Sequence, residues 1–164
     1  SCDIIPSDDN SPYHIQDDIL NHLDDNYDML ICFPPCTHLC SSGARWFKDK
    51  IPQQKEALDF VKKLLNCNIP KIALENPIGI ISTRIKKPTQ IIQPYQHGHG
   101  ETKSTCLWLK NLPKLKPSNI VNGREARIHN MPPTKDRSKL RSITYTGIAK
   151  AMATQWTNVN QTEL

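Results

Sequence analysis

Long apolar runs are missing from this 164-residue sequence: no uninterrupted stretch reaches the roughly 18 apolar residues of a membrane-spanning helix. Basic residues are missing from its first 28 positions, which hold eight aspartates, so the start lacks the positively charged region of a secretory signal. No internal repeat or low-complexity segment is present. We therefore expect a cytoplasmic protein without a membrane partner.

A disulfide framework is also missing. The six cysteines, at positions 2, 32, 36, 40, 67 and 106, lie mostly inside apolar stretches and show no repeated spacing. Reduced thiols are typical of such a pattern in a cytoplasmic protein. With 37% hydrophobic residues, the chain has enough apolar material for one thin core, and its length predicts a single domain over residues 1–164.

The charge of the chain is unevenly distributed. The net charge is +5, but after the acidic start residues 29–164 hold 21 basic and 8 acidic side chains, which leaves +13 there. Residues 84–141 hold 13 of the Lys and Arg residues against three acidic ones. This excess predicts an electropositive surface suited to phosphates. An ordinary solvated surface rich in lysine is the alternative.

Two apolar runs frame the centre of the sequence. Residues 28–33 and 71–74 are typical of buried strands, and the apolar spacing from Gln53 to Asn66, after Pro52, predicts a helix between them. Such a strand, helix and strand form a unit with parallel strands.

Further elements follow the same alternation of strands and helices. We expect a strand end over residues 2–5, a short helix over 15–23, a strand over 106–109, an irregular basic stretch over 118–141 and a closing helix over 146–156. The alternation predicts an α/β fold with a mostly parallel, doubly wound sheet and helices on both faces. Ligands of such sheets bind at the carboxyl ends of the strands.

Two polar segments should meet at that edge. One begins with Pro34, Pro35 and Cys36 after the first strand, and the other is Glu75, Asn76 and Pro77 after the second. A thiol there can act as a covalent nucleophile, and a neighbouring carboxyl group can protonate or hydrogen-bond the group that it attacks. This pair of residues favours conjugate addition to a heteroaromatic ring.

These segments resemble two motifs of the DNA cytosine-5 methyltransferases. Pro-Pro-Cys, with Ser41 and Gly43 downstream, is similar to their Pro-Cys loop, and Glu75-Asn76-Pro77 is similar to their Glu-Asn-Val motif. Nearly the whole chain resembles short phage-encoded members of the family. The resemblance implies a Rossmann-like methyltransferase sheet and methyl transfer from S-adenosylmethionine to C5 of cytosine in DNA or a related pyrimidine nucleotide.

The resemblance also implies roles for individual residues. Cys36 would attack C6 of cytosine, Glu75 would contact N3 and the exocyclic amine, and Asn76 would fix the loop. The expected substrate-binding residues are Pro35, Ser41, Arg45 and Lys103. For Cys36 to react as a thiolate, we expect its pKa to be lowered by Arg45, His38 or Lys103.

Only part of a cofactor site is visible in the sequence. Asp3 matches the acid that holds the ribose hydroxyls in the family, Asp18 matches the acid near the adenine, and Pro34 is the third expected cofactor contact. The chain opens at what resembles the end of the second strand of the family. We therefore expect either a further amino-terminal segment of about 25 residues, carrying a strand and glycine-rich loop, or no cofactor binding of the family's kind.

Three alternatives remain at this stage. The first is a non-catalytic nucleic-acid-binding or regulatory phage protein on a degenerate methyltransferase fold, which would need only the basic surface. The segment between Lys103 and Tyr145 leaves no room for the family's separate target-recognition domain, so sequence-specific reading of a duplex is not expected. The second is a zinc nucleobase deaminase, but His99-Gly100-Glu101 follows the cysteines instead of preceding them. The third is another zinc site, because thiolates and imidazoles are zinc ligands. Its candidate ligands are Cys36, His38, Cys40, His97, His99 and Cys106.

Overall fold

A computed structural model describes residues 1–157, except for the side chains of residues 44–46. Six strands and five α-helices occur in this part of the chain. The strands are β1 (Cys2–Asp3), β2 (Ile15–Gln16), β3 (Met29–Cys32), β4 (Lys71–Pro77), β5 (Gln90–Ile92) and β6 (Thr105–Lys110). The helices are α1 (Ile51–Asn66), α2 (Ile81–Arg84), α3 (Arg127–Asn130), α4 (Arg137–Ser142) and α5 (Thr146–Thr157).

The predicted strand, helix and strand are present as β3, α1 and β4. The two strands are parallel neighbours, with Met29 opposite Lys71 and Cys32 opposite Leu74. Helix α1 begins two residues before the predicted start, and Pro52 occupies its first turn, where a missing N–H costs nothing. The prediction of an α/β fold is therefore confirmed.

The main sheet is mixed, in the order β3-β4-β6-β5, so the expectation of a mostly parallel sheet is wrong. Strand β6 is antiparallel to both of its neighbours. The chain leaves β4 at Pro77, forms β5 at the edge of the sheet, and begins β6 at Thr105, opposite Pro77. Strands β4 and β5 run in the same direction, since both are antiparallel to β6, and β6 returns between them after the short connection that follows β5.

Helices cover both faces of this sheet, as predicted. Ile72 and Leu74 of β4 belong to one apolar cluster with Val61 and Leu64 of α1. Ala73 lies between them in sequence and belongs to the opposite cluster, which includes buried residues of α5. This alternation follows from the two-residue period of a strand. The α5 residues in that cluster are Ile148, Ala151, Met152 and Trp156.

The acidic start folds differently from its prediction. The expected helix over residues 15–23 is wrong, because this stretch forms β2 and a short 3₁₀ turn over Ile19–Asn21. The Asp18 carboxylate accepts a hydrogen bond from the Leu20 N–H at 2.9 Å, and such local bonds compete with a regular helix. Strands β1 and β2 pair in parallel as a separate two-stranded sheet.

Two smaller differences concern the basic half of the chain. Strand β5 was not predicted, because its three residues are too few to show a period. The stretch over residues 118–141 was expected to be irregular, but it contains the short helices α3 and α4.

Candidate active site

A tight turn after β3 presents Cys36. The N–H groups of Leu39 and Cys40 both donate to the Cys36 carbonyl, at 3.0 and 2.9 Å. The Leu39 side chain is fully buried and anchors the turn in the core. Cys36 itself is exposed, whereas Pro34 before it is buried. The turn therefore leaves the Cys36 thiol accessible on a fixed backbone.

The segment after β4 holds this turn in place. The Ser41 N–H donates to the Ile78 carbonyl, and the Ile80 N–H donates to the Leu39 carbonyl, both at 2.9 Å. Cys40 and Gly79 thus form an isolated antiparallel bridge. The prediction that the two polar segments are neighbours is confirmed. Glu75 and Asn76 differ from their prediction in one respect, because they lie inside β4 and not in the loop after it.

Asn76 joins the ends of the two strands directly. Its side chain is almost fully buried, and its Nδ2 donates to the Pro34 carbonyl at 2.8 Å. Its Oδ1 is also buried and has no hydrogen-bond partner among the described residues. This bond fixes the start of the Cys36 turn against β4, in agreement with the role expected for Asn76.

We expect Asn76→Ala to lower the free energy of unfolding by about 1–3 kcal/mol, because it leaves a buried carbonyl without its donor. Urea unfolding measures this loss. Asn111→Gly is the matched control, since Asn111 Nδ2 donates to the Pro70 carbonyl at the same 2.8 Å but at an exposed site, and its φ of 51° suits glycine. An equal loss in the two variants would contradict a special role for the buried bond.

Glu75 and Lys103 lie close enough beside the turn for each to influence the pKa of the other. Strand β6 places Thr105 opposite Pro77, so Lys103 just before it lies at the end of the sheet where Glu75 is found. Burial raises the pKa of Glu75, and the positive charge of Lys103 opposes that shift. Burial lowers the pKa of Lys103, and the charges of Glu75 and Cys36 oppose that shift. The three groups therefore interact electrostatically at one site.

The Lys103 ammonium also holds the segment before α5. Its Nζ donates to the Arg141 carbonyl at 2.8 Å and to the Ile143 carbonyl at 3.4 Å. It lies 5.8 Å from the centre of the Tyr145 ring. Tyr145 in turn donates to Glu101 at 2.7 Å. Lys103 thus links the active-site end of the sheet to the basic half of the chain.

The expected lowering of the Cys36 pKa is not found. The hydrogen bond of its thiol to Cys40 raises the pKa of Cys36, and partial burial and the charges of Cys40 and Glu75 raise it further. The same bond lowers the pKa of Cys40 to about 5, with additional hydrogen bonds from Ser42 and Gly43. The Cys40 and Ser42 side chains are 3.0 Å apart. The bond therefore favours negative charge on Cys40 over negative charge on Cys36.

The other predicted site residues lie in the Cys36 turn and near the two-stranded sheet, apart from Arg45. Pro35 and Ser41 are exposed in the turn, and the backbone of Ser41 is bonded to Ile78. The Arg45 side chain lies outside the described residues. Asp3 and Asp18 belong to the region of the two-stranded sheet.

The sequence did not predict the pairing of Cys36 with Cys40. The available signal was the spacing of four residues between the two cysteines.

Asp3 and Asp18 suit the adenosine part of a cofactor. Asp3 ends β1, and Asp18 lies two residues after the parallel strand β2. Both side chains are exposed, and each accepts one main-chain hydrogen bond, from Ile5 at 3.2 Å and from Leu20 at 2.9 Å. Exposed carboxylates after parallel strands are suited to ribose hydroxyls. Pro34 is buried, and its carbonyl is bonded to Asn76.

The zinc alternative gains no support. Within residues 1–157, no group of three or more His, Cys, Asp or Glu side chains is arranged to hold a metal ion. His97 is buried and bonded to Ser118 at 3.0 Å, and His99 accepts from the Gly147 N–H at 3.1 Å. These two histidines therefore have structural partners away from the cysteines.

The fold and site define a mixed α/β protein with a cysteine, a carboxyl group and a lysine at one end of its sheet. No family model matches the chain, and comparisons with curated proteins and with solved structures find no match. None of the helices in the described part is long and apolar enough to cross a membrane.

Proposed function

We propose that this protein transfers a methyl group from S-adenosylmethionine to C5 of cytosine, in DNA or a related pyrimidine nucleotide, through a covalent bond to Cys36. The observation that carries the proposal is the meeting of an exposed thiol with Glu75 and Lys103 at the end of two parallel strands. Both segments that resemble the cytosine methyltransferase motifs contribute to this meeting point.

The architecture supports a Rossmann-like sheet. Strands β3 and β4 with α1 form a parallel unit, and helices cover both faces of the sheet. Strand β6 lies inside the sheet and is antiparallel to both neighbours, while β3, β4 and β5 run in the same direction. The candidate site lies at the carboxyl ends of β3 and β4, where such folds bind their ligands.

The first step of the proposed reaction is addition of the Cys36 sulfur to C6 of the ring. The Cys40 sulfur can accept the proton of the Cys36 thiol, because the two side chains interact. Glu75 has a raised pKa, which favours its protonated form, and it donates a hydrogen bond to N3 as electron density moves into the ring. Lys103 stabilises negative charge at the site.

S-adenosylmethionine supplies the methyl group that C5 takes up, and Asp3, Asp18 and Pro34 would hold it. Solvent water then takes the C5 proton, the electrons of that C–H bond re-form the double bond between C5 and C6, and the bond from C6 to Cys36 breaks with its electron pair returning to sulfur. The cysteine is restored, and 5-methylcytosine is released. Asn76 keeps the Cys36 turn in place through both steps by its bond to Pro34.

A methylation assay tests this proposal. The full chain, incubated with methyl-labelled S-adenosylmethionine and cytosine-containing DNA or deoxycytidine nucleotide, should yield 5-methylcytosine on nucleoside mass analysis. Glu75→Gln should lower the rate by about 10²–10⁴-fold, because it removes the proton donor. Glu56→Gln on α1 is the matched control and should leave the rate unchanged. Absence of labelled product with every substrate would refute the enzymatic proposal.

The basic surface supports the second candidate, a nucleic-acid-binding or regulatory protein without catalysis. Of the 13 basic residues between positions 84 and 141, nine are exposed, and Arg124 stacks 3.5 Å from the centre of the Tyr95 ring. This candidate requires the charged surface but no chemistry at Cys36. The nine are Arg84, Lys86, Lys87, Lys114, Lys116, Arg124, Arg127, Lys135 and Lys139.

Both candidates predict salt-dependent DNA binding, because phosphate contacts release counterions. Replacing Lys114 and Lys116 together by glutamine should reduce the slope of log affinity against log salt by about two, one for each lysine that pairs with a phosphate. Fluorescence anisotropy at several salt concentrations measures the slope. Glutamine at Lys55 and Lys63 of α1 makes the same charge change outside the basic segment and should leave the slope unchanged. DNA affinity independent of salt would exclude the phosphate-binding surface.

A further inference from the structure

Cys36 and Cys40 place two thiols in one turn of the chain. The Cys40 N–H donates to the Cys36 carbonyl at 2.9 Å and closes that turn, and each thiol shifts the pKa of the other. Residues four apart in such a turn have their Cβ atoms about 5–6 Å apart. A disulfide requires about 3.5–4.5 Å, so a small local movement is sufficient.

The backbone permits that movement. Cys40 has extended dihedral angles, φ −79° and ψ 146°, so it lies at the exit of the turn and outside any rigid helix. Cys36 is exposed, and Cys40 is partly exposed, which gives a small oxidant access to both. The Ser42 hydroxyl lies 3.0 Å from the Cys40 sulfur and stabilises negative charge on it.

Three other cysteines lack these features. Cys32 and Cys106 are buried, and burial raises their pKa values to about 12 and about 11. Cys67 is partly buried, and its thiol is bonded to the Leu64 carbonyl at 3.2 Å. Oxidation depends on thiolate character and access, so the pair in the turn is the favoured target.

We propose that Cys36 and Cys40 are an oxidative modification site, at which hydrogen peroxide converts the two thiols into an intramolecular disulfide. The Cys40 thiolate attacks one peroxide oxygen, which gives a sulfenic acid and, after protonation, one water. The Cys36 sulfur then attacks the Cys40 sulfur, its proton goes to the departing hydroxide, and a second water leaves. In total, two thiols and one peroxide give one disulfide and two waters.

The disulfide has a consequence that rests on the proposed function. A Cys36 sulfur bonded to Cys40 cannot add to C6 of cytosine, so oxidation would stop methyl transfer and a thiol reductant would restore it. The turn would thus contain both the nucleophile, Cys36, and the residue that inactivates it reversibly by forming a disulfide, Cys40.

Mass mapping tests the proposal without any substrate. The full chain is treated with hydrogen peroxide, quenched with catalase, alkylated under denaturing conditions, reduced and alkylated again with a second reagent. Cleavage before aspartate at positions 28 and 49 releases residues 28–48, which contain Cys32, Cys36 and Cys40. We expect Cys36 and Cys40 to carry the second reagent and Cys32 the first.

Two variants sharpen the result. Cys67→Ser should form the disulfide as the wild type does, and Cys40→Ala should form none and leave Cys36 open to the first reagent or to further oxidation. The wild-type map decides the question even if Cys40→Ala fails to fold. The proposal would be overturned if both Cys36 and Cys40 carried the first reagent after peroxide treatment. It would also be overturned if Cys36 formed a disulfide with a cysteine other than Cys40. Failure of methylation by the reduced protein would instead count only against the proposed function.

Discussion

Cys36→Ser is expected to abolish covalent capture of DNA that contains 5-fluorocytosine in the presence of S-adenosylmethionine. Addition of Cys36 to C6 followed by methyl transfer leaves fluorine where the departing proton would be, so the adduct cannot resolve. A serine hydroxyl is a far weaker nucleophile than a thiolate, and no adduct should accumulate. A denaturing gel detects the captured complex, and peptide mass analysis locates the modified residue.

Cys40→Ser distinguishes the two thiols of the turn. Because Cys40 serves only as the neighbouring proton acceptor in the proposed reaction, this variant should still form the adduct at Cys36, but more slowly. Cys67→Ser is the control and should react like the wild type. An adduct that survives Cys36→Ser and disappears in Cys40→Ser would show that Cys40 is the nucleophile. Absence of the adduct in every protein would remove the covalent mechanism.

The rate of the proposed reaction should also depend on pH, because it depends on the protonation of the Cys36 and Cys40 thiols. The hydrogen bond between the two thiols lowers the pKa of Cys40 and raises the pKa of Cys36, so it favours the proton on Cys36 and the negative charge on Cys40. The neutral Cys36 thiol thus becomes reactive only as its proton moves to Cys40. The reactive arrangement belongs to the pair of thiols and not to Cys36 alone.

The central part of the fold could be predicted because its signals are local. The apolar runs before Pro34 and before Glu75, with the periodic helix between them, predict β3, α1 and β4 without knowledge of the rest of the chain. Parallel pairing then follows from the single crossover. Contact between the Cys36 turn and the end of β4 also follows, since both lie at the same edge.

The antiparallel direction of β6 could not be predicted in the same way. It depends on where the chain returns after β4, and the stretch from Ile78 to Ser104 contains only short elements with weak patterns. Pairing of Pro77 with Thr105 is a long-range property of the sheet. The same return path brings Lys103 to the end of the sheet where Glu75 lies. The family resemblance predicts Lys103 at the substrate site, and no local signal does.

The charge state of the candidate site was the least predictable feature. Proximity of basic residues in sequence suggested a lowered pKa for Cys36, whereas the folded turn pairs its thiol with Cys40. Ser42 and Gly43 then stabilise the charge on Cys40. Such a shift depends on hydrogen bonds formed within one turn, and spacing alone does not reveal their direction.

Gly79→Ala is expected to destabilise the protein by about 3 kcal/mol and to disrupt the Cys36 turn. A Cβ atom at position 79 would clash with the Leu39 carbonyl oxygen and would lie only 2.8 Å from its carbon and 2.9 Å from the Cys40 Cα. These are backbone atoms of the turn, so they cannot rotate away as a side chain would. The hydrogen bonds of Ser41 to Ile78 and of Ile80 to Leu39 must lengthen or break.

Gly43→Ala is the control for this effect, because it adds the same methyl group on the other side of the Cys36 turn, where there is space for it. Its nearest atom would be the Thr37 carbonyl oxygen at 3.7 Å, an ordinary contact distance. Urea unfolding should separate the two variants by more than about 2 kcal/mol, and capture of 5-fluorocytosine DNA should fall only in Gly79→Ala. Equal stability of the two variants would mean that the close approach of Gly79 to Leu39 does not hold the turn, and the position of Cys36 would then have to depend on the bond from Asn76 to Pro34.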